Sequence, residues 1–413
     1  MAVILAGSAV AGVGSVASGN ASAATKAAVE ATPPRFTRGI NVGDYLAYPR
    51  KASWPIFEGP RTTMSPRAFA DLRSMGFDFV RLAVEPTPFL DRKPRQVRDL
   101  ERRFVRFMRR ARAAGLGVMV SAWTRRETPR WTPDFIFSDR RNRVRFVRFL
   151  QRLAGLIARS GARDVALELM NEPVSACAGA EARSWVQTQV ELYQAIRKVA
   201  PSLHIVVTPP CWSKLEGLRF LSMAPFDRRT LVDVHYYTPW VFTHQMATWS
   251  QPYARYLTGL AFPSKRTAVK RAIDASARVF TTSDKVGGKR AFVETVRTIE
   301  RYARARHDER SITRDLQRIA VWGRRQGVAP GRIIVGEFGV FRPPPDRGIA
   351  DEASRERWLR AVREAAASRG FGWAVYAYHS RFGLVLDART GAYDRVMLRA
   401  LGLKARGASA GTR

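Results

Sequence analysis

Short apolar segments alternate with longer amphipathic segments along most of the chain. The short segments are seven or eight residues long and rich in β-branched and aromatic residues, which is typical of buried strands. Eight of them occur: FTRGINV (36–42), FDFVRLAV (77–84), LGVMVSAW (116–123), DVALELM (164–170), LHIVVTP (203–209), LVDVHYY (231–237), RIIVGEF (332–338) and GWAVYAY (372–378). Their nearly continuous apolar character predicts parallel strands that are covered on both faces.

The segments between these predicted strands carry helix signals. In SPRAFADLRSMG, Ser65 is placed to act as an N-cap, Pro66 occupies the first helical position, and Gly76 marks the C-terminal end. Residues 99–115 and 310–327 repeat apolar side chains at helical spacing. The pattern therefore predicts amphipathic helices between the strands.

Eight strands that alternate with helices predict an α/β protein with a (β/α)8 TIM barrel, formed by a single catalytic domain over residues 36–405. The main alternative is an open doubly wound sheet, but no Gly-rich phosphate turn follows the first strand. The connection between strands six and seven (238–330) is unusually long. We expect its first half to be an ordered loop over the barrel mouth, whereas the sequence leaves open whether 265–310 folds as a lid or stays mobile.

The N-terminal segment resembles a secretory leader. Residues 1–23 contain an apolar stretch and end in Ala21-Ser22-Ala23, an A-x-A cleavage pattern, although no Lys or Arg precedes the apolar stretch. We expect 24–35 to be a linker, 406–413 to be a tail, and the mature protein to be secreted or periplasmic. No other apolar run approaches 20 residues, so we expect no transmembrane segment.

The chain is strongly basic, with 70 Lys and Arg residues, 35 Asp and Glu residues and a net charge of +35. Such a charge favours nucleic acid, anionic surfaces or acidic polysaccharides. The arginines are spread along the whole chain, and no zinc-ligand spacing or RNA-recognition signature accompanies them. We therefore interpret the charge as a compositional bias, expect no nucleic-acid partner, and keep an acidic polysaccharide as an alternative ligand. We expect a monomer.

Two glutamates follow predicted strands at positions where a barrel presents its catalytic residues. Glu172 follows strand four and Glu337 ends strand seven, so both face the mouth of the barrel from nearly opposite sides. Paired carboxylates hydrolyse glycosidic bonds when one is protonated and the other is ionised. Arg81, near the end of strand two, is placed to keep Glu337 ionised through charge pairing. Glu168, on the same strand as Glu172, is expected to be structural.

Six motifs together carry a family resemblance, although Asn-Glu-Pro alone would be weak. They are RGINVG (38–43), VRL (80–82), NEP (171–173), VHYY (234–237), VGEFG (335–339) and FGWAVYAY (371–378). With these motifs the chain resembles glycoside hydrolase family 5, the cellulase-like family of clan A. The resemblance implies an exported hydrolase of β-linked polysaccharide, such as β-glucan or a bacterial exopolysaccharide, without a metal or an organic cofactor. β-Mannan, an acidic exopolysaccharide and a non-catalytic glycan-binding barrel remain alternatives.

The resemblance also implies roles for individual residues. Glu172 would be the general acid/base and Glu337 the nucleophile of a retaining mechanism. Asn171 would bind the sugar 2-hydroxyl, and His235 would line the same subsite. Arg81 and Tyr237 would orient and ionise Glu337.

Aromatic residues near the predicted mouth depart from the family pattern. Trp123 stands where members often carry a histidine, and Tyr376 stands where a sugar-stacking tryptophan is usual. Trp123, Tyr376 and Trp212 are either sugar platforms or rim packing. Cys177 and Cys211, the two cysteines of the chain, follow strands four and five. We expect them to form a disulfide because their loops share one face of the barrel, with two free buried thiols as the alternative.

Overall fold

Eight parallel strands close into a barrel in the computed structural model of the protein. They are β1 (Arg38–Leu46), β2 (Phe79–Val84), β3 (Gly117–Ala122), β4 (Val165–Glu168), β5 (His204–Val207), β6 (Thr230–His235), β7 (Ile333–Phe338) and β8 (Gly372–Val375). Each strand pairs with its neighbours in the chain, and β8 also pairs with β1. The predicted (β/α)8 barrel is therefore confirmed. The alternative of an open sheet is wrong, because the β1–β8 pairing leaves no free edge in the barrel.

The structure describes residues 36–124, 130–174, 176–283, 286–344, 346, 348–349, 351–387 and 389–405. The predicted leader (1–23), linker (24–35) and tail (406–413) lie outside these residues. Within them, no helix is both long enough and apolar enough to cross a membrane.

Helices connect the strands and cover the outside of the barrel. They are α1 (Pro66–Met75), α2 (Pro86–Asp91), α3 (Pro94–Ala113), α4 (Pro133–Ser138), α5 (Arg140–Arg159), α6 (Gly179–Val199), α7 (Trp240–Thr243), α8 (Val269–Thr282), α9 (Gly288–Arg304), α10 (Glu309–Arg325), α11 (Glu352–Ala367) and α12 (Arg395–Ala400). A short antiparallel pair, β9 (Val385–Asp387) and β10 (Ala392–Tyr393), follows β8. The predicted caps of α1 are confirmed: Ser65 Oγ accepts from Ala68 N, and Gly76 has a φ of 108°.

The inside of the barrel changes character from its base to its mouth. Because side chains alternate along a strand, every second residue points inward. The inward residues at the base form an apolar layer: Phe36, Phe79, Met119, Ala166, Val206, Leu231, Ile334 and Ala374. On β2, β4 and β6 the next inward position, two residues further along the strand, holds a buried polar side chain: Arg81, Glu168 and Asp233. The apolar layer therefore forms a floor beneath a charged layer.

Several candidate residues lie just beyond the strands that position them. β4 ends at Glu168 rather than at residue 170 as predicted, so Asn171 and Glu172 belong to the following loop. Glu172 has a φ of 41°, a left-handed backbone conformation that residues other than glycine rarely adopt. Tyr237 and Tyr376 likewise follow β6 and β8. The loops at the carboxyl ends of the strands therefore present these side chains at the mouth.

The long connection between β6 and β7 is folded where the structure describes it. Its first part contains α7 and a 3₁₀ turn at Pro252–Tyr256, and 265–310 includes α8 and α9. Met246, Tyr256 and Val279 of this connection form a small apolar cluster with Phe341 and Phe382, which follow β7 and β8. The connection therefore packs against the carboxyl-end face of the barrel.

Candidate active site

Arg81 lies at the centre of a buried network at the mouth. Its Nε and Nη2 atoms donate to the two carboxylate oxygens of Glu168, each at 2.7 Å, and Nη1 donates to Glu337 Oε1 at 2.6 Å. The side-chain oxygens of Asn41 and Asn171 accept from the same guanidinium at 2.8 and 2.9 Å. Arg81 is 1% exposed, so its guanidinium is hydrogen-bonded to protein groups instead of water.

A third carboxylate, Asp233, lies 3.3 Å from Arg81 Nε. Burial alone would lower the pKa of Arg81, but Glu168, Asp233 and Glu337 outweigh burial and raise it well above its usual value. Burial would also raise the pKa of Asp233, but Arg81 and His235 outweigh it and lower that pKa. The buried charges therefore depend on one another, and removal of any one leaves its partners uncompensated.

Gly336 gives Asp233 the space that it needs beneath the site. The backbone N–H of Gly336 donates to Asp233 Oδ1 at 2.7 Å. A Cβ atom at position 336 would overlap the same carboxylate. The glycine before Glu337 therefore allows β7 to pass close to Asp233 of β6.

Glu337 is almost fully buried and is held by both of its oxygens. Arg81 donates to Oε1, and the Tyr237 hydroxyl donates to Oε2 at 3.0 Å. Burial raises the pKa of Glu337, while the positive charges of His235 and Arg81 act in the opposite direction. Burial and the adjacent Glu337 raise the pKa of Tyr237 well above its usual value, so the phenol keeps the proton that it donates.

Glu172 faces Glu337 and is more open to solvent. Its side chain is 26% exposed, against 5% for Glu337. His235 bridges the two glutamates, because Nδ1 lies 2.9 Å from Glu172 Oε1 and 3.7 Å from Glu337 Oε2. Carboxylate oxygens of Glu172 and Glu337 and a ring nitrogen of His235 all lie within 4.8 Å of one another. The arrangement pairs a buried carboxylate with a carboxylate that solvent reaches.

The carboxylates around His235 raise its pKa. Burial alone would lower its pKa, but Glu337 and Asp233 outweigh burial and raise the pKa well above 6.5. Nε2 lies 3.6 Å from Asp233 Oδ2. Both ring nitrogens of His235 therefore lie near carboxylates, and Nε2 also lies 3.4 Å from Arg81 Nη2.

The stability contribution of His235 is expected to depend on pH. Because its pKa is raised by folding, the contribution is fully present below the unfolded pKa of about 6.5 and is lost as pH rises through the folded pKa. Wild type should therefore lose stability relative to His235→Gln as pH rises above about 6.5, by about 1.4 kcal/mol per unit of raised pKa. Urea unfolding of both proteins across this range measures the effect. If the stability of wild type relative to His235→Gln stays constant or grows with pH, the raised pKa of His235 is contradicted.

Two of the three candidate platform residues lie beside the charged network. The rings of Trp123 and Tyr376 are nearly parallel, 11° apart in orientation with centroids 6.2 Å apart. Trp123 is 5% exposed, donates from Nε1 to Tyr48 Oη at 2.9 Å and lies 5.5 Å from Arg81 Cζ. Tyr376 is half-buried. Trp123 is thus mostly packed, and Tyr376 is the more accessible of the two rings.

Trp212 lies half-buried in the loop after β5, among three consecutive left-handed residues. Cys211, Trp212 and Ser213 have φ values of 64°, 57° and 56°. Such strain persists only where the surrounding structure holds it. Trp212 N donates to Val174 O at 2.9 Å, and His235 N donates to Ser213 O at 2.8 Å. The loop is thereby attached to the loop after β4 and to the end of β6.

A disulfide provides a third attachment for this loop. Cys177 and Cys211 are bonded, with Cα atoms 4.4 Å apart and 34 residues apart in sequence. The bond joins the loop that carries Glu172 to the loop that supports His235. It therefore restrains one wall of the candidate site.

Loss of this disulfide is expected to destabilise the protein. Closing a loop of 34 residues restricts the unfolded chain and contributes about 3 to 4 kcal/mol in a chain-entropy treatment. Unreduced wild type should therefore exceed both reduced wild type and Cys177→Ser/Cys211→Ser in free energy of unfolding by roughly this amount. Urea unfolding gives the difference, with thiol titration as a control. Two free thiols in unreduced protein, or equal stability with and without reductant, would refute the prediction.

Among the residues that the structure describes, two groups of acidic and histidine side chains come close enough to surround an ion: Glu168 with Asp233 and His235, and Glu172 with His235 and Glu337. In both groups the carboxylates already interact with the positive charges of Arg81 or His235. The negative charge of both groups is therefore balanced by cationic side chains of the protein, and we assign no metal to either group.

Sequence reasoning missed part of the network. Asn41 Nδ2 donates to Gly336 O at 2.8 Å while its oxygen accepts from Arg81. Asp233 binds both β7 and Arg81, and the structural role expected for Glu168 corresponds to its paired contact with Arg81. The available signal was a polar residue at an inward position of an otherwise apolar strand, as in RGINVG and LVDVHYY.

Comparisons with known proteins agree with the fold and motifs. The sequence profile of the family Cellulase (glycosyl hydrolase family 5) matches residues 53–381. Endoglucanase 3 of Fibrobacter succinogenes is 25% identical over 239 residues, which cover 57% of this chain and 33% of that protein. Endoglucanase C of Acetivibrio thermocellus is 22% identical over 351 residues, covering 83% of this chain and 91% of that protein.

Solved structures share the architecture. The cellulose synthase subunit Z of Clostridioides difficile superposes with a TM-score of 0.64 at 22% identity, covering 89% of this chain and 99% of that one. At this level of identity the likeness shows a common fold.

Proposed function

Because the chain belongs to the cellulase family, glycosyl hydrolase family 5, and is therefore a glycoside hydrolase that acts on β-glycans, we propose that Glu172 and Glu337 hydrolyse a β-linked glucan with retention. The observation that carries this proposal is the separation of the two carboxylates. One oxygen of Glu172 lies within 4.8 Å of one oxygen of Glu337, which suits the roughly 5 to 5.5 Å spacing of retaining enzymes better than the roughly 6.5 to 9.5 Å of inverting ones.

In the first step, Glu337 attacks the anomeric carbon while Glu172 gives its proton to the glycosidic oxygen. The carbon–oxygen bond breaks, the leaving sugar departs as an alcohol, and Glu337 becomes a glycosyl ester. Arg81 and Tyr237 hold the two oxygens of Glu337 in place before attack. Glu172 suits the exchange of protons because solvent reaches it.

In the second step, ionised Glu172 takes a proton from a water molecule, which attacks the same carbon. The ester breaks, Glu337 is released as a carboxylate, and Glu172 is protonated again. His235 Nδ1, 2.9 Å from Glu172 Oε1, holds the Glu172 carboxylate in position for this step.

The remaining candidates bind the sugar or support the residues that bind it in this proposal. Asn171 binds the 2-hydroxyl near the cleavage point, where its side chain lies beside Arg81. Tyr376 lines the subsite with Trp123 packed behind it, and Trp212 adjoins the site from the loop after β5. Export to the cell exterior or periplasm is supported by the leader-like sequence and by the disulfide.

Reducing-sugar release from a panel of glycans tests the proposed function. The panel contains β-1,4-glucan, mixed-linkage β-glucan, β-mannan and xanthan, the last because a net charge of +35 favours an acidic chain. Wild type should release sugar from a β-glucan, whereas folded Glu337→Gln should not. Release from mannan or xanthan alone would reassign the substrate. Glycan binding without any turnover would replace the proposal with a non-catalytic binding barrel.

A further inference from the structure

The positive charge of the protein is concentrated on two neighbouring helices, α3 and α5. Each helix has 20 residues, and together they contain fifteen arginines and two acidic residues, Asp99 and Glu101. They therefore carry a net charge of +13, which is more than a third of the +35 of the whole chain. The next helix, α6, has 21 residues and a net charge of only +1. A compositional bias spread evenly over the helices would not produce this contrast.

The arginines of α3 form a stripe along the outside of the helix. Five exposed arginines recur at intervals of three or four residues: Arg95, Arg98, Arg102, Arg106 and Arg109. This spacing places side chains on one face of a helix. The stripe spans fourteen residues from its first member to its last, or about 21 Å at the rise of an α-helix.

A second stripe runs along α5 beside the first. Four exposed arginines follow one another at intervals of seven, four and seven residues, which again keeps them on one face: Arg141, Arg148, Arg152 and Arg159. This stripe is about 27 Å long. The two helices follow the neighbouring strands β2 and β3, and Arg152 of α5 forms an ion pair with Glu101 of α3. Because the axes of packed helices lie roughly 8 to 10 Å apart, the two stripes form one basic face.

Most of the charge on this basic face is not neutralised by the protein. Arg102 and Arg152 pair with Asp99 and Glu101. Each of the other seven arginines of the stripes forms no ion pair with a residue that the structure describes. Exposed like charges repel one another, and an anionic partner would remove that repulsion.

Two exposed valines lie among the arginines and bear on the chemistry of the partner. Val105, 36% exposed, follows Arg102 by three residues, and Val144, 42% exposed, follows Arg141 by three. Apolar side chains gain little from the phosphates of DNA or from an acidic sugar, but they can enter the boundary between lipid headgroups and acyl chains. All four phenylalanines of α3 and α5 are buried, so these helices offer no ring on which a base or a sugar could stack.

We propose that the basic face of α3 and α5 binds the surface of an anionic phospholipid bilayer. A single extended polymer chain follows one stripe at a time, whereas a bilayer presents phosphates in two dimensions and reaches both stripes together. The planar guanidinium of arginine binds two phosphate oxygens at once. The face lies on the outside of the barrel, so the mouth at the carboxyl ends of the strands stays open in the bound protein. The inference does not depend on the proposed reaction.

Sedimentation of the full chain with phospholipid vesicles tests this face. Wild type should bind vesicles of equal parts phosphatidylcholine and phosphatidylglycerol, should ignore vesicles of phosphatidylcholine alone, and should be released by high salt. Replacing four unpaired arginines, Arg98→Gln/Arg106→Gln/Arg141→Gln/Arg148→Gln, should weaken binding to the anionic vesicles by about a hundredfold or more.

The matched control removes the same charge from another helix. Arg310→Gln/Arg314→Gln/Arg324→Gln/Arg325→Gln changes four exposed arginines of α10, which precedes β7 across the barrel from β3. This variant should bind the anionic vesicles nearly as tightly as wild type. Urea unfolding of both variants shows that each is folded.

A third variant tests the apolar part of the contact. Val105→Ser/Val144→Ser changes no charge and should still weaken vesicle binding, because the two side chains no longer favour the boundary beneath the headgroups. Vesicle affinity equal to that of wild type would contradict the choice of a bilayer as the partner.

An equal loss of vesicle binding in the two arginine variants would overturn the proposal, because net charge rather than the basic face would then govern binding. Failure of wild type to bind anionic vesicles would do the same. Binding to duplex DNA or xanthan that depends on the arginines of α3 and α5, without binding to vesicles, would replace the bilayer with that polymer. All three outcomes leave the proposed hydrolysis untouched, since both arginine variants should release sugar from soluble β-glucan at the wild-type rate.

Discussion

Glu337→Gln is expected to lower kcat on β-glucan by on the order of 10⁴-fold, because the amide cannot form the glycosyl ester on which both steps depend. The amide keeps the size of the carboxylate and can still bind Arg81 and Tyr237, so the fold should survive. Initial rates of reducing-sugar release, with circular dichroism of the same samples, measure the effect. Glu181→Gln, at an exposed position in the first turn of α6, is a control that should retain full activity.

Glu172→Gln should differ from Glu337→Gln in a way that identifies the two roles. An aryl glycoside with a good leaving group needs no proton in the first step, so the ester should still form in Glu172→Gln and release the phenol in a burst. Added azide, which needs no general base, should then restore turnover. An absent burst together with no response to azide would contradict the assignment of Glu172 as acid/base.

Arg81→Met is expected to cost about 3 to 5 kcal/mol of unfolding free energy and most of the activity. It would leave Glu168, Asp233 and Glu337 buried without the guanidinium that all three share. Urea unfolding at neutral pH measures the loss. Arg355→Met is the matched control: Arg355 is buried and paired with Asp394, so this variant should lose stability and keep its kcat.

The loss in Arg81→Met should also grow with pH. Burial already raises the pKa of Glu168 and Glu337, and removal of the guanidinium, which lowers the pKa of all three carboxyls, raises each of them further. The native state then binds more protons than the unfolded state, and stability falls as pH rises. Arg81→Met/Glu168→Gln, with one buried charge fewer, should recover part of the stability. If Arg81→Met is as stable as wild type at neutral pH, the buried charges are not electrostatically coupled as described.

The barrel could be predicted from the sequence because its signals are local. Each strand is a continuous apolar run, and caps such as Ser65 and Gly76 need only their own neighbours. The end of β4 was placed too late, because Leu169 and Met170 are apolar and buried although they lie beyond the paired strand. Pairing between strands, rather than hydrophobicity, decides where a strand ends.

The contacts inside the candidate site depend on distant parts of the chain. Arg81 contacts Glu337 as expected, but it also binds both carboxylate oxygens of Glu168, 87 residues away, which the sequence did not indicate. Likewise, Phe242 and Trp249 are both aromatic residues of one loop, yet one is buried and the other exposed. Composition cannot separate such residues, because tertiary packing alone determines which ring fills the core.

The anomeric configuration of the first product tests retention most directly. Proton NMR of β-glucan hydrolysis, recorded before mutarotation equilibrates the products, resolves the two anomers. The proposed roles of Glu172 and Glu337 predict that the β-anomer appears first and that the α-anomer follows only by mutarotation. Initial formation of the α-anomer would contradict the covalent mechanism and, with it, Glu337 as nucleophile.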